Sequence, residues 1–329
     1  MKHISILVPE GDCSLVNIEG THQIFSEVNS LLARVGRPPL FHVQLVGLRK
    51  ETSMKKGLFH VHPDVLIADV RQTDLVIIPA IQGEKGKVIK DNEAFLPWIV
   101  QQYNGGAAVA TLCIGVFLLA ATGLLKGKRC ATHWAEADNF RRMFPNVDLV
   151  PDKIITDEGG IYTSGGAYSW LNLILYIIEK MAGRDMAITC SKIFEVQIER
   201  NSQSAFMIFH PQKRHEDEAV MKVQEYIEAN FTERFSVDDL AKEVGVSRRN
   251  LERRFRKVTF NSIVEYMQRV RIEAAKQTLE KDRENVAEAM YKSGYSDSKA
   301  FRTTFKKLTG LSPMEYRNKY VRREVLVEG

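Results

Sequence analysis

Two groups of residues in this 329-residue chain have types and spacings suited to chemistry. The first is Cys113, which follows the apolar run 107–112, precedes Ile114 and Gly115, and has Thr132, His133 and Trp134 about twenty residues on. A thiol at a strand-to-helix turn is lifted to the open edge of an α/β sheet, near a helix N-terminus, and a nearby imidazole can serve as its base. Free cysteine is also an ordinary packing residue. A nucleophile, a redox-sensitive thiol, a wall of a small-molecule pocket and an inert core thiol therefore all stay open. The second group is the stretch 247–257, with six basic residues against one acidic. Its Leu251 and Phe255, four apart, make one stripe of a helix, so the opposite face carries Arg249, Glu252, Arg253 and Arg256. Such a face suits phosphates and base edges.

The basic face needs elements to present it. Ser236 with Asp239 three residues on reads as a capped helix start, followed by the short pattern Val237, Leu240, Ala241, Val244 and then Gly245; Ser247 opens a second helix. Helix, tight turn and basic helix is the helix-turn-helix order, in which the second helix enters the major groove. The arrangement recurs 49 residues later at Gly294, with Val286, Ala289 and Met290 before the turn, Ser296 expected as the N-cap, and Phe301 and Phe305 as the buried stripe. The second outward face is Lys299, Arg302, Thr303 and Lys306. With Arg248, Asn250 and Ser298 at the helix starts, these residues are the candidate DNA contacts. Between the copies, residues 263–278 read as one amphipathic spacer helix, which sets two readers on adjacent major grooves.

The closing run Phe301-Arg-Thr-Thr-Phe-Lys-Lys-Leu-Thr-Gly-Leu-Ser-Pro-Met-Glu-Tyr-Arg317 resembles the signature of the AraC/XylS family of transcription regulators. The resemblance covers about residues 220–320 and implies two DNA-binding units per chain. Met290 departs from it, standing where the family usually keeps a small alanine.

Charge separates the halves. From Lys213 onward 25 Lys plus Arg face 20 Asp plus Glu, a net of +5, while the preceding residues hold 21 of each. The positive excess lies where phosphates would be met. The four cysteines, Cys13, Cys113, Cys130 and Cys190, show no metal-ligand or disulfide spacing, so neither a metal site nor a cofactor is expected, and a reducing cytoplasm fits. No signal peptide is expected. The uncharged run 105–125 carries four glycines and breaks at Cys113, so it reads as a buried strand leading into a buried helix rather than a membrane span.

The first half reads as strands at 4–8, 41–46, 74–79, 107–112, 153–156 and 160–163. Helices are expected to about 33 from the loop after residue 14, and at 92–103, 114–125, 134–144 and 167–181. Apolar runs without alternation, separated by helices, predict a doubly wound α/β domain with a parallel, flavodoxin-like sheet. The second half is all-α with two helix-turn-helix units. Domain 1–195, linker 196–215 and domain 216–329 are the expected divisions.

Ala110-Thr-Leu-Cys113-Ile-Gly115, Gly123-Leu-Leu-Lys-Gly127, Thr132-His-Trp134 and Tyr162-Thr-Ser-Gly-Gly166 resemble the ThiJ/PfpI branch of the glutamine amidotransferase-like superfamily. Joined to AraC-type units, that domain is similar to the GlxA-like regulators. The family's enzymes place an acid after the first strand; the aligned residue here is Asn17, which neither takes up a proton nor holds an imidazolium. Relatives often keep an aspartate where this chain has Asn172. The expectation is a regulator rather than an enzyme: a transcription factor, read as an activator, whose first domain binds a small metabolite, a nitrogenous one among the candidates, through Asn17, Cys113, Ile114, His133, Ser164 and Tyr168. Ser164 and Tyr168 are expected at the N-terminus of the late helix, as caps or anion ligands. Trp134 can serve the core or a ligand cage. Double-stranded DNA, RNA polymerase and a second copy of the chain are the expected partners. The alternatives are an amidase or hydrolase with an accessory DNA-binding module, and a redox sensor using Cys113.

Overall fold

The computed structural model describes residues 1–198, 202–281 and 284–321, and the chain divides into two compact units, Met1–Gln203 and Ser204–Gly329. Of the linker expected at 196–215, residues 199–201 lie outside the described residues, as do 282–283 and 322–329 of the expected second domain.

The strands of the first unit are β1 (Lys2–Val8), β2 (Phe41–Gly47), β3 (Thr52–Met54), β4 (Phe59–Val61), β5 (Val65–Leu66), β6 (Leu75–Ile78), β7 (Ala108–Thr111), β8 (Arg129–Cys130), β9 (Asp148–Leu149), β10 (Ile155–Glu158) and β11 (Ile161–Ser164). Seven of them form one sheet in the order β10-β11-β7-β6-β1-β2-β5. Its pairs are parallel except β10 with β11, an antiparallel edge hairpin that turns at Gly159 and Gly160, both at positive φ. The helices are α1 (Leu15–Arg34), α2 (Lys85–Asp91), α3 (Phe95–Asn104), α4 (Val116–Ala121), α5 (Ala137–Met143), α6 (Trp170–Ala182) and α7 (Arg184–Ile193). Helices α1, α6 and α7 pack with Ile4, Ile6 and Ile77, while α2 to α5 pack with Leu7, Val76 and Ile78. Neighbouring residues of one strand thus enter opposite cores, which is why the strands read as unbroken apolar runs.

Two helix expectations change. The helix expected from 92 begins at Phe95, because the Asn92 side chain bonds the backbone of Glu10, accepting at 2.7 Å and donating at 3.0 Å. The one expected over 114–125 is a short turn, Cys113–Gly115, followed by α4 ending at Ala121.

The second unit contains α8 (Glu218–Ala229), α9 (Val237–Glu243), α10 (Arg248–Thr259), α11 (Ile263–Leu279), α12 (Val286–Lys292), α13 (Ser298–Thr309) and α14 (Pro313–Tyr320). One core gathers Leu240, Leu251, Phe255 and Tyr266; the other Ala289, Phe301, Phe305 and Tyr316. The repeat runs deeper than the two turns. Ser262 with Glu265 and Ser312 with Glu315 form capping boxes, and the buried Tyr266 and Tyr316 hydroxyls donate to Glu228 and Glu280, each at 2.6 Å. The buried pair Leu240–Ala241 has its counterpart in Ala289–Met290 with the large and small residues exchanged, which conserves volume.

The register shifts by one inside the second turn. The cap of α13 is Asp297, whose carboxylate accepts from the Ala300 N–H at 2.6 Å, and not Ser296. Ser296 instead accepts from Arg234 at 2.9 Å, while Tyr295 packs its ring against Phe301. An added residue between glycine and helix moves the capping position on by one. Residues ahead of α8 also belong to this unit's packing: Phe209 lies edge-on to Tyr266, and the Met207 and Ala205 carbonyls accept from Lys276 at 2.6 Å and Tyr320 at 2.9 Å.

Candidate functional site

On α10 the stripe of Leu251 and Phe255 is fully buried, and Arg248, Arg249, Glu252, Arg253 and Arg256 are exposed. Ser247 caps the helix by accepting from the N–H of the half-buried Asn250. Arg248 is held between Asp238 and Glu252, each at 3.0 Å, and Arg253 donates to Asn250 at 3.3 Å. On α13, Phe301 and Phe305 are buried while Ser298, Lys299, Arg302, Thr303 and Lys306 are exposed. Each helix therefore keeps a basic face in water, as a groove reader requires.

Sequence reasoning missed three arginines whose side chains hold these helices in place. Arg254 makes a two-pronged bond to Asp217, at 2.8 and 2.6 Å, and that bond holds the Asp217 carboxyl below its ordinary range. Its place three residues after Leu251, on the margin of the apolar stripe, was the available signal. Arg271 of α11 donates to the Phe231 carbonyl at 2.6 Å and the Glu233 carbonyl at 2.8 Å and stacks on Tyr295. Arg234 reaches Ser296 from the same loop. The loop 231–234 is thereby fastened to the turn of the second helix pair. Nothing in a one-dimensional pattern marks a carbonyl partner.

In the first unit Cys113 is buried with φ at +56°, a left-handed conformation rare outside glycine. Its N–H donates to Ser164 Oγ at 3.0 Å, and Thr132 Oγ1 donates to its carbonyl at 3.5 Å. Gly115 is required because a Cβ there would stand 2.5 Å from the Pro79 oxygen and 2.6 Å from that of Ile78. Burial pushes the Cys113 thiol up to about 11; the Ile114 N–H opposes this, the Glu136 charge adds to it and the Lys85 charge opposes it. His133 accepts from the Ala135 N–H through Nδ1 at 3.1 Å, so that nitrogen is committed to a turn, and burial lowers its basicity. Among the described residues no hydrogen bond joins Cys113 to His133. The thiol is protonated near neutrality and has no base on it.

Asn17, 2% exposed, accepts the Ala80 N–H at 3.0 Å. That bond spans the point where strand order reverses, between the end of β6 and the helix after β1, the usual ligand crevice of such sheets. Ile114 is half-buried in the turn that Cys113 opens. Neither Ser164 nor Tyr168 caps the late helix: Ser164 ends β11, the N-cap of α6 is Ser169 without a side-chain bond, and Tyr168 is 65% exposed, facing water rather than Cys113. Asn172 donates to the Gln197 carbonyl. Trp134 lies with its ring 5.3 Å from that of His133. Cys113, Thr132 and Ser164 are thus brought together, with His133 on the adjoining loop. Among the described residues no cluster of His, Cys, Asp or Glu could hold a metal, and no helix is long and apolar enough to cross a membrane.

Residues 26–180 match the DJ-1/PfpI family and residues 240–319 match the helix-turn-helix domain. The chain is 27% identical over 260 residues to the HTH-type transcriptional regulator GbdR of Pseudomonas aeruginosa, covering 78% of this chain and 69% of that protein. It is 26% identical over 222 residues to the HTH-type transcriptional regulator GlxA of Rhizobium meliloti, covering 65% and 66%. A crystal structure from Vibrio parahaemolyticus matches with a TM-score of 0.52 at 22% identity, over 58% of this chain and 98% of that one, which shows the shared fold of the first unit.

Proposed function

We propose a mode of action for a chain that joins a DJ-1/PfpI domain to an AraC-type helix-turn-helix domain, as HTH-type transcriptional regulators such as GlxA do, and that is itself a DNA-binding transcription regulator. The first unit senses a small, nitrogenous metabolite at the turn of Cys113, with Asn17, Ile114, His133 and Ser164 around it and Tyr168 at the rim. The second unit reads two adjacent major grooves: Arg249, Glu252 and Arg253 of α10 and Lys299, Arg302 and Thr303 of α13 face bases, while Arg248, Asn250, Arg256, Ser298 and Lys306 hold backbone. The regulator acts in the cytoplasm as a homodimer formed through its first unit, and activates transcription by presenting itself to RNA polymerase.

The observation that carries the reading is the pair of helices with buried aromatic or leucine stripes and exposed basic faces, separated by α11, whose Arg271 ties the loop ahead of the first helix pair to the turn of the second. That helix has 17 residues and spans about 25 Å, shorter than the roughly 34 Å turn of a duplex that separates adjacent grooves, so the helices on either side of it supply the rest of the spacing. Sensing rather than catalysis is supported by the protonated Cys113, the occupied Nδ1 of His133 and the amide at position 17. The test is selection of DNA sites by the purified full chain, followed by titration against salt. A bipartite site, with affinity falling at a log–log slope of about −0.9 per phosphate neutralised, is expected; binding without sequence preference would overturn the reading. A thermal-shift screen of small nitrogenous metabolites against the full chain tests the sensing half, because a bound ligand stabilises the unit that holds it.

A further inference from the structure

Gln203 is 1% exposed although the first unit ends with it. Its Oε1 accepts the Gly166 N–H at 2.7 Å, and its Nε2 donates to the carbonyls of Thr132 at 2.9 Å, Pro151 at 2.7 Å and Lys153 at 3.2 Å. Its own N–H donates to the Asp152 carbonyl at 2.9 Å. Gly165 and Gly166 do not have positive φ; a Cβ on Gly165 would stand 2.6 Å from Nε2 and 2.7 Å from the Lys153 oxygen, and one on Gly166 would stand 2.9 Å from Oε1. Thr132 also bonds the Cys113 carbonyl, His133 follows it, and Gly166 lies on the loop between Ser164 and Tyr168. The socket is built from the two loops at Thr132 and Gly166, which border the sensing site, and from the turn of Pro151 and Lys153.

A carboxamide nitrogen has two hydrogens, and three carbonyls converge on it, so one acceptor is left short. A primary ammonium group would satisfy all three. We propose that this socket is a binding site for a primary amide or ammonium group of the effector, held in the ligand-free protein by Gln203, and that release of Gln203 lengthens the tether to the DNA-binding unit and thereby reports occupancy. This rests on the sensing function proposed above for the first unit.

Three full-length variants test it. Gln203→Ala and Gly166→Ala remove the same contact from opposite sides. Each should speed limited proteolysis within residues 196–206 at least tenfold and shift transcription from a selected-site reporter at least fivefold without added metabolite. The double variant should do no more than either alone. Propionamide or ethylammonium at tens of millimolar should displace Gln203 and speed the cleavage of the wild type, should leave that of Gln203→Ala unchanged while raising its melting temperature, and tetramethylammonium, which has no N–H, should do neither. Unchanged cleavage, additive effects, or an equal effect of tetramethylammonium would overturn the proposal. Should Gln203→Ala unfold the first unit, Gln203→Asn, polar but too short for the socket, replaces it with the same expectations. Cys113→Leu separates the two ideas: if it alters reporter output while Gln203→Ala does not, the latch fails and sensing stands, whereas if neither alters it, sensing itself fails.

Discussion

The side-chain oxygen of Asn17 accepts the backbone N–H of Ala80 at 3.0 Å, closing the crevice beside Cys113 with an amide where the resemblance to the ThiJ/PfpI enzymes implies an acid. Asn17→Ala leaves that buried N–H unpaired and should lower the stability of the first unit by about 1–3 kcal/mol, read as unfolding by denaturant. Asn17→Asp keeps an acceptor but should not create amidase turnover, because the Cys113 thiol stays protonated and His133 Nδ1 stays occupied. Cys113-dependent hydrolysis by that variant would overturn the assignment.

Burial raises the thiols of Cys113 and Cys190 to about 11 and those of Cys13 and Cys130 to about 12. Labelling of the native protein by a chromogenic disulfide should be slow at pH 7.5 and rise about tenfold per pH unit up to pH 10. In the unfolded chain the thiols ionise near the ordinary value of about 8.5, below the folded values. Their contribution to stability is thus complete below that pH and is lost as pH rises through about 9 to 12. A labelling rate that levels off below pH 8 would mark a reactive thiolate instead.

Asp217 caps α8 and takes both prongs of Arg254, and its carboxyl sits below the ordinary range. A depressed carboxylate stabilises above the unfolded value and loses that stabilisation as pH falls through the folded one. Asp217→Asn should therefore lower the melting temperature of the second unit by a few degrees at pH 7, and the gap to wild type should close below about pH 4. A gap that is constant with pH would mean the cap alone matters.

Arg253 is exposed on the solvent face of α10 and steadied by Asn250. Arg253→Ala should cost about 1–3 kcal/mol on the selected site and relax one base position. Arg256→Ala and Lys306→Ala should weaken all sequences alike and reduce the salt slope by about one each. A uniform loss for Arg253→Ala would move it to the phosphate contacts.

Gly245 and Gly294 both have positive φ, but a Cβ on Gly245 meets nothing within 4 Å, while on Gly294 it would stand 2.8 Å from the Phe231 oxygen and the Thr232 Cα. Gly245→Ala should cost about 1–2 kcal/mol from backbone strain. Gly294→Ala should cost more and should also weaken binding to the bipartite site beyond what stability explains, because it pushes the second helix pair away from the loop 231–234. Equal effects of the two substitutions would show that the junction does not set the readers.

The chain's sequence by itself determined the doubly wound class, the two helix-turn-helix units and the outward basic faces. These follow from local periods: apolar runs unbroken because β1 and β6 are buried on both faces, and Leu251–Phe255 and Phe301–Phe305 spaced by one helical turn. The turn at Cys113 was legible because only a short list of residues fits between a buried strand and a buried helix. What tertiary structure decided was every contact whose partner is backbone remote in sequence: Asn17 on Ala80, Arg271 on Phe231, Gln203 on Thr132 and Gly166. It also decided Asp297 over Ser296 as a cap, since both residues can cap and only the packing of Tyr295 against Phe301 fixes which one stands at the helix start. A carbonyl or an N–H belongs to every residue type, so composition and spacing carry no mark of which one a side chain will find.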